Sequence, residues 1–138
     1  MFDTPSESQG LTIQNGVITG IGSCTDTVLH LDHPVGDEFL KNVNLKITEI
    51  YMTENVKSIG KSAFASCKSL EKVVLPSNLK IISEGMFSGC SSLESITVPE
   101  GVTTINYSAF SGCIGFESFT LPEGVTTIED FAFAGCRF

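Results

Sequence analysis

A chain of 138 residues with 41% hydrophobic content is long enough to bury one core and short enough to be a single domain. Sixteen acidic against eight basic residues leave a net charge of −8, with no basic cluster or stripe. This balance repels a phosphate backbone and argues against nucleic-acid binding, and no apolar run approaches the roughly 18 residues of a membrane-spanning helix.

Residues 1–10 are polar and acidic and carry neither the basic start nor the apolar stretch of a secretion signal, so they are expected to form a flexible tail. Either the protein stays inside the cell, or a signal has been removed; the residues do not separate the two. Residues 11–46 read as an N-terminal cap with a degenerate first repeat. Leu11-Thr12-Ile13-Gln14 and Val17-Ile18-Thr19 flank Asn15-Gly16, whose two positive-φ positions suit a type I′ hairpin turn. Val28-Leu29-His30-Leu31 predicts a further strand, ended by Pro34 and Gly36. Phe39, Leu40, Val43 and Ile47 follow at near-helical steps and predict a short helical turn. His30-Leu31-Asp32-His33 is the one cluster that resembles metal chemistry. On a strand His30 and Asp32 share a face while His33 does not, and no third ligand is evident, so no metal is predicted.

From residue 47 the chain is periodic. Phe64, Phe87, Phe110 and Phe133 fall 23 residues apart, and Cys67, Cys90, Cys113 and Cys136 keep the same step. The windows Ile47–Ser69, Leu70–Ser92, Leu93–Gly115 and Phe116–Phe138 are therefore four copies of one unit. Within each, Ile50, Val73, Ile96 and Phe119 are followed two residues later by Met52, Leu75, Val98 and Leu121, an alternation that predicts a short strand with its apolar side inward. Pro76, Pro99 and Pro122 end three of these strands, because proline has no N–H to give to a ladder. A second apolar pair, as in Leu79 and Ile82, predicts a short extended arm. Phe, Cys and the next Leu then stand three apart, as in Phe87, Cys90 and Leu93, which predicts a helical turn or 3₁₀ segment. Such a unit cannot bury its own apolar side, but stacked copies share a continuous core. The expected fold class is an α/β solenoid of short parallel strands with helical or 3₁₀ turns and an N-terminal hairpin cap.

The pattern Leu-x-x-Val-x-Leu-Pro-x-x-Leu-x-x-Ile-x-x-x-Met-Phe-x-x-Cys of Leu70–Cys90 resembles the BspA-like class of leucine-rich repeats. The likeness covers residues 47–138 well and 11–46 only loosely. It implies a right-handed, curved solenoid and a surface or secreted protein that binds other macromolecules.

The repeated cysteines fit an interior slot for a small, weakly polar side chain, so a reduced core ladder is the preferred reading. Disulfides between neighbouring repeats and a thiolate metal site stay as alternatives, the latter without the usual Cys-x-x-Cys pairs. Cys24 lies outside the ladder. Asn106-Tyr107-Ser108 has N-glycosylation spacing, to which no role is given. No nucleophile stands beside a base, no phosphate-cradling loop is visible and no cofactor is implied, so the chain is expected not to be an enzyme.

The residues between the inward strand slots should face outward, on the normally concave side of a solenoid. They form the ladders Glu49, Lys72, Ser95, Ser118 and Tyr51, Val74, Thr97, Thr120, with Glu71, Glu94 and Glu117 beside them. These eleven residues are the expected partner-binding surface, with Tyr51 the strongest single contact because exposed aromatics are favoured at interfaces. The expected function is a protein-binding module at the cell surface, acting in adhesion; the alternative is an acidic cytoplasmic protein that inhibits or scaffolds another protein. After Cys136-Arg137-Phe138 no polar closing segment follows, which suggests either a longer chain or a homodimer formed through the last repeat.

Overall fold

The computed structural model describes residues 6–41, 43 and 46–137. Nine short strands follow in order: β1 (Thr12–Gln14), β2 (Val17–Gly20), β3 (Val28–Leu31), β4 (Glu49–Met52), β5 (Lys72–Val74), β6 (Ile81–Ile82), β7 (Ser95–Thr97), β8 (Thr104–Ile105) and β9 (Thr127–Ile128). β3, β4, β5 and β7 form one parallel sheet in the order β3-β4-β5-β7, and β6, β8 and β9 form a second, also parallel. The chain thus winds as a parallel β-solenoid of about four turns. Each turn offers a strand side, an arm side and a turn side around one apolar core.

The 23-residue step is the pairing register itself: Ile50 pairs with Val73, and Val73 with Ile96. Their side chains are buried while the flanking positions are half-buried or exposed, as the two-residue period requires. The arms keep the same step, with Ile82 beside Ile105 and Ile105 beside Ile128.

The expected helical turns do not form; among the described residues there is no helix. In residues 83–93 the N–H groups of Met86, Ser88, Cys90 and Leu93 bond to carbonyls three residues back. Those of Gly85, Phe87 and Gly89 instead reach Tyr107, Ala109 and Ser111 of the next repeat, at 2.9, 2.8 and 2.7 Å. A helix needs every N–H for its own chain and an unbroken run of negative φ. Here Gly85 and Gly89 sit at φ 63° and 77° and turn the alternate amides outward. The segment is a train of tight turns knitted to its neighbours, so the solenoid is all-β rather than α/β. Among the described residues of the turn expected at Phe39–Ile47 no helix forms either, and the Leu40 N–H bonds outward to the Ala63 carbonyl; residues 42, 44 and 45 lie outside the described residues.

The fourth copy also departs from the pattern. The stretch 118–120 forms no strand, while the Glu117 N–H still bonds to the Glu94 carbonyl (3.2 Å). Phe116 and Phe119 replace the Leu and Val/Ile of earlier copies. Their rings pack edge-to-face on each other and on Phe110, with centroids 5.3–5.9 Å apart.

At the N-terminal end the expected hairpin forms, with β1 antiparallel to β2 and Asn15 and Gly16 at φ 53° and 76°. Ile18 of β2 is fully buried and forms a parallel bridge to Val35, which bridges on to Ile59. Glu7 and Ser8 are tied to β3: Ser8 N–H donates to the His30 carbonyl and its Oγ accepts from His30 N–H, both at 2.9 Å.

The core is a column of rings. Phe64, Phe87, Phe110 and Phe133 stack with centroids 5.4–5.6 Å apart and planes within 19° of parallel, and Phe39 closes the column edge-on. The cysteines run beside it as free thiols. Each Sγ–H donates to the Phe carbonyl of the preceding repeat: Cys90 to Phe64, Cys113 to Phe87 and Cys136 to Phe110, at 3.1–3.2 Å. Cysteine therefore fills a small apolar slot and supplies one donor. Contact with Cys67 and burial push the Cys90 thiol far above its ordinary range; burial, and the charge that Cys90 and Cys136 would carry, do the same for Cys113.

Two outcomes are expected. Phe87→Ala should lower stability by about 3–5 kcal/mol in urea unfolding, and Phe133→Ala by less, because the Phe133 ring is only half-buried. Raised thiol pKa values keep the folded state neutral while unfolded thiols ionise, so stability is fully present below pH ~8.5 and falls as the pH rises above it. Each of Cys90 and Cys113 should contribute a loss of about 1.4 kcal/mol per pH unit. Unfolding between pH 8 and 10 checks this, since the Cys90→Ala/Cys113→Ala variant should show a shallower fall.

Candidate functional site

The outer side of β3-β4-β5-β7 carries two ladders set by strand register. One runs Val28, Glu49, Lys72, Ser95; the other runs His30, Tyr51, Val74, Thr97. Ser118 and Thr120 continue these rows one repeat on, without strand pairing. Three adjoining hollows of about 610, 510 and 590 Å³ lie along this side. Val74 is shared by the first and second, and Ser95 and Thr97 by the second and third, so together they form one trough.

Of the expected contact residues, Tyr51, Lys72, Val74, Ser95, Thr97, Ser118 and Thr120 line this trough. Glu49 lies beside it and accepts a hydrogen bond from the Tyr51 hydroxyl. Glu71, Glu94 and Glu117 are exposed but line none of the three hollows; the N–H of each bonds back to the preceding repeat, just before β5 and β7 for the first two. A further acidic row, Glu100 and Glu123, lines the opposite bank.

The trough has a residue that sequence reasoning placed elsewhere. His30 stacks on Tyr51 with centroids 5.4 Å apart and planes at 15°. Leu29 precedes its partner Ile50 by 21 positions, not 23, which hides the register of β3 from the period. On its other side the Tyr51 ring has Lys72 Nζ at 5.6 Å from its centroid, within cation–π range. The ring is therefore held on both faces.

The cap supplies the end wall. Glu7 accepts from the Asp32 N–H and pairs with His33 Nδ1 at 2.8 Å. Asp32 accepts from Thr53 and Asn55, and these hydrogen bonds hold its carboxyl below the usual range. Asp32 and His33 thus face different partners, and among the described residues no three metal-ligating side chains converge. Nor is any helix among the described residues long and apolar enough to cross a membrane.

Several solved structures share this architecture. A leucine-rich repeat protein from Bacteroides ovatus is 31% identical over 95% of this chain, with a TM-score of 0.75. The chain spans only 38% of that protein's length. The T. pallidum leucine-rich repeat protein is 22% identical, with 96% of this chain and 67% of that one covered and a TM-score of 0.73. A leucine-rich repeat protein from Eubacterium ventriosum, 20% identical, covers 88% of this chain and 46% of its own, with a TM-score of 0.62. The latter two are alike in fold alone. No curated protein sequence matches the chain significantly. The model of the BspA type leucine-rich repeat region matches in six copies over residues 34–138. Leucine-rich repeats generally serve as protein-interaction modules. With its repeat period, parallel ladders and cysteine column in register, the chain belongs to the BspA-type leucine-rich repeat family.

Proposed function

We propose that this chain is a non-enzymatic module that binds another protein along the trough on the outer side of β3-β4-β5-β7, as a surface or secreted interaction protein. The trough is the observation that carries this reading. It crosses at least four repeats, and hydroxyl, aromatic and aliphatic groups are presented from a rigid ladder. A surface anchored strand by strand loses little freedom when it binds, which favours affinity. Glu71, Glu94 and Glu117 on one bank and Glu100 and Glu123 on the other favour a partner with positive charge. The same charge supports the alternative of an acidic intracellular inhibitor or scaffold.

A photo-crosslinking residue placed at Thr97, in the trough, should trap a partner, and one at Lys80, exposed on the arm side, should not. Offering epithelial surface extract and bacterial cytosol separately tells the two settings apart. Trapping from Lys80 with none from Thr97 would overturn the trough as the binding surface.

A further inference from the structure

We propose that the first hollow of the trough, between His30, Tyr51 and Val74, receives an aromatic side chain from an extended, basic segment of the partner. This rests on the trough being the binding surface and names the chemistry it selects.

Three observations support the assignment. The hollow is the apolar reach of an otherwise hydroxylated face. The ladder that carries His30, Tyr51 and Val74 continues as Thr97 and Thr120, and Leu31 and Met52 line the same space. Val74 is 40% exposed where the following repeats carry threonine, so an aliphatic surface stands open to water. At about 610 Å³ the hollow falls within the usual size of a ligand-binding cleft.

The rings fix the kind of side chain. His30 covers one face of Tyr51 and Lys72 the other, and the Tyr51 hydroxyl is committed to Glu49. With His30 stacked on the Tyr51 ring and Lys72 Nζ over it, the edge of Tyr51 is what it has left to offer a guest. Ring edges carry partial positive charge, and an aromatic guest presenting its face to them makes the favoured edge-to-face contact. The pre-stacked pair also has little rotamer freedom left to lose.

The charges fix what flanks that side chain. Glu7 and Asp32 line the hollow, and Glu49 stands beside Tyr51. Lys72 is already engaged over the Tyr51 ring, and His33 is hydrogen-bonded to Glu7. An aromatic residue with lysine or arginine on either side therefore matches the site. The second hollow continues from Val74, so the segment has room to run on in extended form.

Three capped tripeptides, acetyl-Lys-Phe-Lys-amide, acetyl-Glu-Phe-Glu-amide and acetyl-Lys-Ala-Lys-amide, titrated into the ¹⁵N-labelled full chain test this by NMR. The first should shift the amides of Tyr51, Val74 and Asp32 and bind at least tenfold more tightly than either of the others. Tyr51→Thr/Val74→Thr, which extends the threonine row, should weaken it tenfold or more. Val74→Lys, a change at an exposed position, should abolish it without altering the amide spectrum elsewhere. Equal binding of the Glu or Ala peptide, an unaffected Val74→Lys variant, or shifts confined to Glu71, Glu94 and Glu117 would each overturn the assignment. If Thr97 still crosslinks a partner while the Lys-Phe-Lys peptide leaves the hollow unshifted, this inference fails and the trough reading stands.

Discussion

Everything in this molecule depends on one coincidence of register: the phenylalanine stack and the backbone ladders share the 23-residue step. Burying each ring contributes about 2–3 kcal/mol and drives the repeats together. That force is non-directional and would tolerate a slipped stack. A net hydrogen bond is worth only about 1 kcal/mol, but an N–H left unpaired in the interior costs about 1–3 kcal/mol. The amides of Phe64, Phe87 and Phe110 each bond to the next repeat, so the stack slips register only by breaking backbone bonds as well. Apolar burial decides that the repeats stack, and the amides decide where. The cysteine thiols add to the same lock, because each one's donor reaches back to a phenylalanine carbonyl that already accepts within its own turn at Phe64's successors Phe87 and Phe110.

The ladders also run in opposite senses. On the strand side the N–H of Glu71 points back to Thr48 and that of Glu94 back to Glu71. On the turn side Gly85 donates forward to Tyr107, and Ser108 forward to Asp130. Peptide dipoles within a parallel ladder alternate, so the strand side carries little net field of its own. The field along the trough is left to the side chains, where carboxylates outnumber cations. Charge selection of a partner is then a property of surface positions that the fold does not constrain.

Much of this was legible in the sequence because stacking repeats each constraint once per turn. The strands at Ile50, Val73 and Ile96, the arms at Ile82 and Ile105, and the Asn15-Gly16 hairpin follow from period and turn chemistry alone. The errors arose where one signal fits two geometries. A three-residue spacing of Phe87, Cys90 and Leu93 suits a helix and a train of turns equally. Gly89, Gly112 and Gly135, two residues after Phe87, Phe110 and Phe133, pointed to the turns, since a positive φ in that slot breaks a helix. The fourth copy differs in sequence where the strand is missing, with Phe116 and Phe119 in the slots of Leu93 and Ile96. His30 escaped because a loop two residues shorter put β3 out of phase with the period, though its apolar alternation is that of β4.

The contrast between core and face bears directly on function. Inward slots vary little because each must match the slot above and below; Phe64, Phe87 and Phe110 are all fully buried in the same geometry. Outward slots meet no such test, so the simplest content for them is the β-compatible, soluble residue found at Thr97, Thr120, Ser95 and Ser118. Departures from that default need another cause. Val74 leaves an aliphatic surface in water, and Tyr51 with His30 builds a fixed aromatic pair that buries no core. Both departures fall in one hollow, at the end of the sheet where the cap adds Glu7 and Asp32. The stack explains why a rigid face exists at all, and this hollow is where the face stops being generic.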